Sequence, residues 1–194
     1  MGAILAGGAG RRLGRDGRGK AAAELAGRPL LSWPLAVVAE VCAPVVVVCK
    51  AGTELPELPD EVERWDEPDE PRHPRAGIVH ALERAGAPVL VCAADMPFIT
   101  PDACRSLLAA AAQGSSPAAV AVADGILQPV FGVYAPAALE TFHAAADGEP
   151  LTATVEALDP ARVALPPALV RSVNTPEDLA EAEAELGGQP RSST

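Results

Sequence analysis

Lysine is almost missing from this chain: Lys20 and Lys50 stand against thirteen arginines among 15 basic residues. Arginine serves wherever any cation will do, so Lys20, set in a basic loop, reads as a residue chosen for its compact point charge. Long apolar runs are missing as well. The longest candidates, residues 41–49 and 87–94, fall far short of the roughly 18 residues a membrane-spanning helix needs. The N-terminus has neither the charged start nor the apolar stretch of a signal peptide, and Ala6 stands where a myristoylation site needs Ser or Thr. A cytoplasmic protein with no membrane contact is expected. The 15 basic residues are outnumbered by 26 acids, and a net charge of −11 argues against a nucleic-acid binder. The four cysteines, Cys42, Cys49, Cys92 and Cys104, show no C-x-x-C spacing and read as small buried hydrophobes rather than disulfides or zinc ligands. His73, His80 and His143 lack metal-ligand spacing, and no nucleophile is paired with a base.

What the chain does have is apolar material: 49% of its 194 residues are hydrophobic, enough for one core. A single domain over residues 1–186 is expected, with a frayed Gly, Pro and Ser-rich tail at 187–194. Short apolar runs at residues 2–6, 45–49 and 88–93 predict buried strands, and residues 62–65 are a further candidate strand. Helices are predicted over residues 29–41 (shortened or kinked by Pro34), 76–85 and 136–146, and after Thr100-Pro101, where a cap precedes a proline at the first helical position. Asp124-Gly125 predicts a hairpin between strands 118–123 and 128–134. Residues 162–165 and 170–173 are candidate strands, and Thr175-Pro176-Glu177-Asp178 opens a last helix as a capping box. Strands alternating with helices predict an α/β, Rossmann-like three-layer fold with a mostly parallel sheet and one antiparallel strand. Ligands in such sheets sit beyond the carboxyl ends of the strands.

The loop after the first strand is where charge and glycine concentrate. Residues 11–20 carry five cations, Arg11, Arg12, Arg15, Arg18 and Lys20, against the single acid Asp16, in an otherwise anionic protein. That pattern predicts a local anion site. Gly14 through Gly19-Lys20 fits the start of a phosphate-binding P-loop, but Ala21 lacks the hydroxyl that would hold magnesium, and the first strand ends too early. Gly8-x-Gly10-x-x-x-Gly14 stretches a dinucleotide fingerprint whose confirming acid is missing, since the second strand ends in Cys49-Lys50.

The whole segment, Leu5-Ala6-Gly7-Gly8-Ala9-Gly10-Arg11-Arg12-Leu13-Gly14 through Lys20, then Gly27-Arg28-Pro29-Leu30, resembles the signature of the nucleotidyltransferase family that includes molybdenum cofactor guanylyltransferase. Further matches are Asp66, Pro74-Arg75-Ala76-Gly77, Asp95-Met96-Pro97-Phe98, Gln128-Pro129-Val130-Phe131 and Asn174-Thr175-Pro176-Glu177-Asp178. The resemblance spans essentially the whole chain. It departs from the pattern at Gly10, where the family often has Ser, at Leu13 in place of Met, and in two extra residues before Lys20.

The resemblance implies a nucleotide-diphospho-sugar transferase-like fold and a Mg²⁺-dependent transfer of GMP from GTP to a molybdopterin-type phosphate, releasing pyrophosphate. Arg12, Lys20 and Asp95 are then the catalytic candidates, with Asp95 the metal ligand. Leu5, Ala6, Gly7, Gly8, Gly10, Arg12, Lys20, Asp66 and Asp95 would bind the nucleotide, and Gln128 and Asn174 the acceptor. Glycines let the backbone approach phosphate and offer N–H donors, while Arg and Lys neutralise charge. Gly7 is expected to leave room for guanine, and Asp66 to meet its edge or help arrange the metal. Molybdoenzymes or cofactor-delivery proteins are the implied partners. Open alternatives are transfer to another phosphorylated acceptor (a sugar phosphate, phospholactate, or cytidylyl transfer to molybdopterin) and a non-catalytic nucleotide-binding module.

Overall fold

The computed structural model describes residues 1–7 and 19–187. In chain order these form β1 (Gly2–Leu5), the short strands β2 (Glu24–Leu25) and β3 (Arg28–Pro29), α1 (Ser32–Ala39), β4 (Val45–Lys50), β5 (Val62–Glu67), α2 (Pro74–Ala85), β6 (Val89–Ala93), α3 (Pro101–Gln113), β7 (Ala118–Ala123), β8 (Ile126–Tyr134), α4 (Leu139–Ala144), α5 (Leu151–Glu156), β9 (Ala161–Ala164) and α6 (Pro176–Gly187). Seven strands make one sheet in the order β5-β4-β1-β6-β8-β7-β9. β1 pairs in parallel with β4 and β6, β4 with β5, and β7 with β9. Within this sheet β8 runs against both of its neighbours, β6 and β7.

The valine run of β4 shows why the sheet is covered on both sides. Successive side chains point to opposite faces. Val45, Val47 and Cys49 therefore pack with Leu31, Leu35 and Val38 around α1 and Leu107 of α3, while Val46 and Val48 pack with Ile78 and Leu82 of α2, Phe142 of α4 and Val155 of α5. A strand buried on both faces has no room for polar alternation, which is why the sequence reads as a continuous apolar run. Each fully buried Val or Leu contributes about 1.5–3 kcal/mol, so these two layers carry the fold. A smaller third cluster, Leu25, Leu30, Val173 and Ala182, fixes the β2–β3 ribbon against α6.

Local signals work as read. Thr100 Oγ1 accepts from Ala103 N at 3.3 Å with Pro101 behind it. Asp124 and Gly125 both take positive φ, 49° and 77°, the twist a two-residue hairpin needs. Thr175 and Asp178 cap α6 reciprocally, Asp178 N donating to Thr175 Oγ1 at 3.1 Å and Thr175 N to Asp178 Oδ2 at 2.9 Å.

Several elements differ from the sequence reading. α1 begins at Ser32 rather than residue 29, because a proline at position 34 fits only the first turn, where its missing N–H has no helical partner anyway. The helix expected over 136–146 divides into a 3-10 turn, Pro136–Ala138, and α4. α5 and the β2–β3 ribbon were not anticipated. Residues 170–173 are no strand: Pro167–Val170 is a 3-10 turn, and β9 already takes the sheet edge beside β7. β5 runs two residues further than expected, to Glu67. The expected tail, apart from Gly187 at the end of α6, lies outside the described residues.

All four cysteines are free, Cys49, Cys92 and Cys104 buried and Cys42 partly so. Burial raises the thiols of Cys49, Cys92 and Cys104, the last to about 12, so they stay protonated and act as apolar filler. Trp65 is buried, with Arg84 stacked 4.5 Å over its ring, and Trp33 donates to Leu25 O at 3.2 Å. No helix among the described residues is long and apolar enough to cross a membrane.

Candidate functional site

A cleft of about 730 Å³ opens beyond the carboxyl ends of β1, β4, β5 and β6. Leaving the sheet, β1 is held from both sides: Ala6 N donates to Val48 O at 2.8 Å and Ala94 N to Leu5 O at 3.0 Å. Leu5, Ala6 and Gly7 therefore form part of its wall. Lys20 opens the 3-10 turn Lys20–Ala22, and its ammonium contacts Asp95 Oδ2 and donates to Asn174 Oδ1 at 2.6 Å. Asp95 lies in the turn after β6. Val173 N donates to Asp95 O at 2.9 Å, which pins the segment before α6 against that turn and delivers Asn174 to it. Asn174 N is held in turn by Asp178 Oδ2 at 2.8 Å, and this backbone bond, with the one from Thr175, keeps the Asp178 carboxyl below its ordinary value.

Three residues far apart in sequence thus meet around one cation. Asp95 Oδ1 is buried with no hydrogen-bond partner among the described residues. An orphaned hard oxygen next to a cation position suits a divalent metal of the magnesium type. The described residues hold no group of three or more His, Cys, Asp or Glu that could enclose an ion. An ion on Asp95 would therefore draw its other ligands from a bound molecule and water, as such ions do on phosphates.

A second charged pair lines the same cleft. Glu67 is 7% exposed, Lys50 Nζ lies 3.4 Å from its Oε1, and Lys50 also donates to Pro68 O and, at 3.3 Å, to Pro71 O. Burial raises the Glu67 carboxyl above its ordinary value, and Lys50 opposes that shift. The carboxylate lies between two glycines. A Cβ on Gly7 would stand 2.5 Å from Glu67 Oε1, and one on Gly77 would stand 3.1 Å from Oε2.

The profile of the MobA-like NTP transferase domain matches residues 2–162. The chain belongs to that family. Two curated relatives called molybdenum cofactor guanylyltransferase support the assignment. The protein from Rhizobium leguminosarum bv. trifolii is 34% identical over 205 residues, covering 94% of this chain and 90% of the relative. The one from Cereibacter sphaeroides is 37% identical over 203 residues, covering 96% of each. Among solved structures, molybdopterin-guanine dinucleotide biosynthesis protein A from Archaeoglobus fulgidus superimposes with a TM-score of 0.74 at 24% identity, over 97% of this chain and 99% of that one. A cytidylyltransferase for 2-C-methyl-D-erythritol 4-phosphate from Thermus thermophilus superimposes with a TM-score of 0.71, also at 24% identity, over 95% of this chain and 98% of that one. These two share the fold, a mostly parallel sheet with helices on both faces, of the nucleotide-diphospho-sugar transferase type. The protein is a nucleotidyltransferase.

Placed on this fold, the residues singled out from the sequence separate into groups. Leu5, Ala6, Gly7, Lys20, Asp95 and Asn174 line the cleft. Gly8, Gly10 and Arg12 lie outside the described residues. Asp66 is not on the cleft wall: it points away from Glu67 along β5, half exposed, and pairs with Arg64 Nε at 2.7 Å. Gln128 is also off the wall, its Nε2 donating to Ile126 O at 3.3 Å. A register shift in the β7–β8 pairing at Val120/Ala121 lets β8 arch beside it, and Val130 reaches the cleft instead. The room expected beside Gly7 is taken by the Glu67 carboxylate. Sequence reasoning missed Glu67 and its pairing with Lys50, although Lys50 stands at the end of the second main-sheet strand and lysine is scarce in the chain.

Proposed function

We propose that this nucleotidyltransferase moves GMP from GTP to the terminal phosphate of a molybdopterin-type acceptor, with Mg²⁺, in the cytoplasm. The convergence of Lys20, Asp95 and Asn174 beside the glycine-bearing end of β1 supports this reading most strongly, together with the guanylyltransferase relatives. An acceptor phosphate oxygen attacks the α-phosphorus of GTP. A new P–O–P bond forms, the bond to the β-phosphate oxygen breaks, and pyrophosphate leaves. Negative charge builds on the transferred phosphoryl group and on the leaving group, and fixed cations aimed there lower the barrier.

Lys20 is the point charge for that role. Its ammonium is already desolvated by Asp95 and Asn174, so little reorganisation is needed when phosphate replaces them. Asp95 would hold Mg²⁺ through its orphaned oxygen. The bound ion would neutralise triphosphate charge. Asn174, fixed by Asp178, orients Lys20 and faces the acceptor side, and Gly7 leaves the space that the Glu67 carboxylate fills at the cleft wall. Arg12 is proposed as a bidentate phosphate donor. Molybdoenzymes or cofactor-delivery proteins would receive the product.

The test is acceptor-dependent pyrophosphate release with GTP, CTP or ATP. Release is expected with GTP and molybdopterin together, and Asp95→Asn should cut it by about 3 kcal/mol or more of transition-state stabilisation while leaving the fold intact. Acceptor-dependent release with CTP in preference to GTP would refute the guanylyl assignment. Near wild-type turnover of the variant at saturating Mg²⁺ would refute the role of Asp95.

A further inference from the structure

Glu67 is a costly feature of the cleft. A carboxylate 7% exposed keeps one oxygen, Oε2, without any hydrogen-bond partner among the described residues. Leaving a charged acceptor buried and unpaired opposes folding, and an apolar side chain would fill the same floor without that penalty. The surroundings accommodate the carboxylate in particular. Gly7 on the end of β1 and Gly77 in α2 both leave the space it occupies, since a Cβ at either would press on one of its two oxygens. Lys50 is anchored to Pro68 O and Pro71 O, and so holds a positive charge beside Oε1. Glu67 is thus kept as an acceptor on the wall of the cleft that Lys20 and Asp95 also line.

We propose that Glu67 is the residue that reads the base, its carboxylate accepting the N1–H and the exocyclic N2–H of guanine side by side. This rests on the guanylyltransferase reading above and deepens it. The terminal torsion of a glutamate is soft, so the carboxylate can turn its edge to an incoming base without moving β5. Guanine alone among the four bases offers two adjacent N–H donors on that edge. Adenine and cytosine each place a ring nitrogen lone pair beside their amine, and that lone pair meets a carboxylate unfavourably. A site built to accept hydrogen bonds discriminates strongly against ligands that lack the donors, because its own buried groups are then left unpaired. The role expected of Asp66 passes to its neighbour because alternation along β5 turns Glu67 into the cleft and Asp66 toward Arg64.

The experiment is calorimetric titration of wild type and Glu67→Gln with GTP, ITP, CTP and ATP in Mg²⁺. ITP keeps N1–H and lacks the N2 amine, so it isolates the second hydrogen bond. Wild type should bind GTP about tenfold or more ahead of ITP, with CTP and ATP weaker still. Glu67→Gln should lose about tenfold or more in GTP affinity, change CTP by less than about threefold, and bring GTP and ITP together. Unaltered GTP:ITP and GTP:CTP ratios in a folded variant would overturn the role of Glu67 while leaving guanylyl transfer standing. Wild type binding CTP as well as GTP would overturn both. If the variant fails to fold, wild type alone decides: equal affinity for GTP and ITP overturns the proposal, and a clear preference for GTP supports it.

Discussion

Lys20→Ala removes the cation that three separate parts of the chain share, and its consequences can be worked out before the measurement. Lys20 contacts Asp95 Oδ2 and donates to Asn174 Oδ1 at 2.6 Å, with 15% of the Lys20 side chain and 21% of that of Asp95 exposed. A hydrogen bond to a charged group contributes about 1.5–3 kcal/mol net. Two such bonds are lost, but water refills part of the space at this exposure and hydrates the carboxylate. A net loss of about 1–3 kcal/mol in stability is expected, which for a domain of this size lowers Tm by roughly 2–4 °C per kcal/mol. The effect on catalysis is larger. A preorganised charge aimed at developing negative charge is worth about 2.7–4 kcal/mol, a hundredfold or more in kcat. Steady-state pyrophosphate release gives kcat and KM, and a thermal melt gives the stability change. Lys20→Arg separates the two: it restores a cation to Asp95 and most of the Tm, but its planar fork does not reproduce a point charge, so turnover stays low. A value of kcat/KM for Lys20→Ala within about threefold of wild type would refute the assigned role.

Gly132→Ala should destabilise without touching the site, since its Cβ would stand 2.8 Å from Ala119 O and 3.1 Å from Val120 Cγ2 in the sheet interior. Overpacking against backbone costs about 1–3 kcal/mol, and an unchanged Tm would contradict it. Neutral His73 caps α2 by accepting from Arg75 N at 3.2 Å, and burial, then the Arg75 charge, lowers its pKa. The cap therefore contributes fully above the ordinary imidazole value and is lost as pH falls through the lowered one. His73→Ala should cost about 0.5–2 kcal/mol near neutrality and progressively less in acid, as melts across pH would reveal. Glu67 has the opposite sign. With its folded pKa raised, it favours the fold below the ordinary glutamate value, and that advantage disappears as pH rises through the raised one. Ligand-free Glu67→Gln should thus melt at or above wild type near neutral pH and lose that margin in acid; a lower melting point near neutrality would contradict this reading of the buried charge.

Local chemistry and the sheet layers were readable because each rests on neighbours in sequence. Thr100-Pro101, Asp124-Gly125 and Thr175 with Asp178 act within a turn, and the valines of β4 declare a strand buried on both faces. α5 escaped notice because six residues, Leu151–Glu156, are too few to display a helical period, and their helix is stabilised by burying Leu151 and Val155. The β2–β3 ribbon of two-residue strands is held by Leu25 and Leu30 against α6, a partner about 150 residues away in sequence.

For the site, residue types alone announce the chemistry: a glycine-bearing strand end, a rare lysine, an aspartate after a buried strand and an asparagine before the last cap. Each follows from residue type and from position relative to an element. Which side chains meet was decided by tertiary structure alone. Asn174 reaches Lys20 only because Val173 N donates to Asp95 O, a bond between two loops that no local pattern encodes. The choice between Asp66 and Glu67 depended on the parallel register of β5 on β4, with Cys49 opposite Asp66 and Lys50 opposite Glu67. Side chains alternate with a period of two, so a shift of one residue exchanges the face in the cleft for the face outside it. That parity is set by packing across the sheet, and adjacent acids in a sequence carry no record of it.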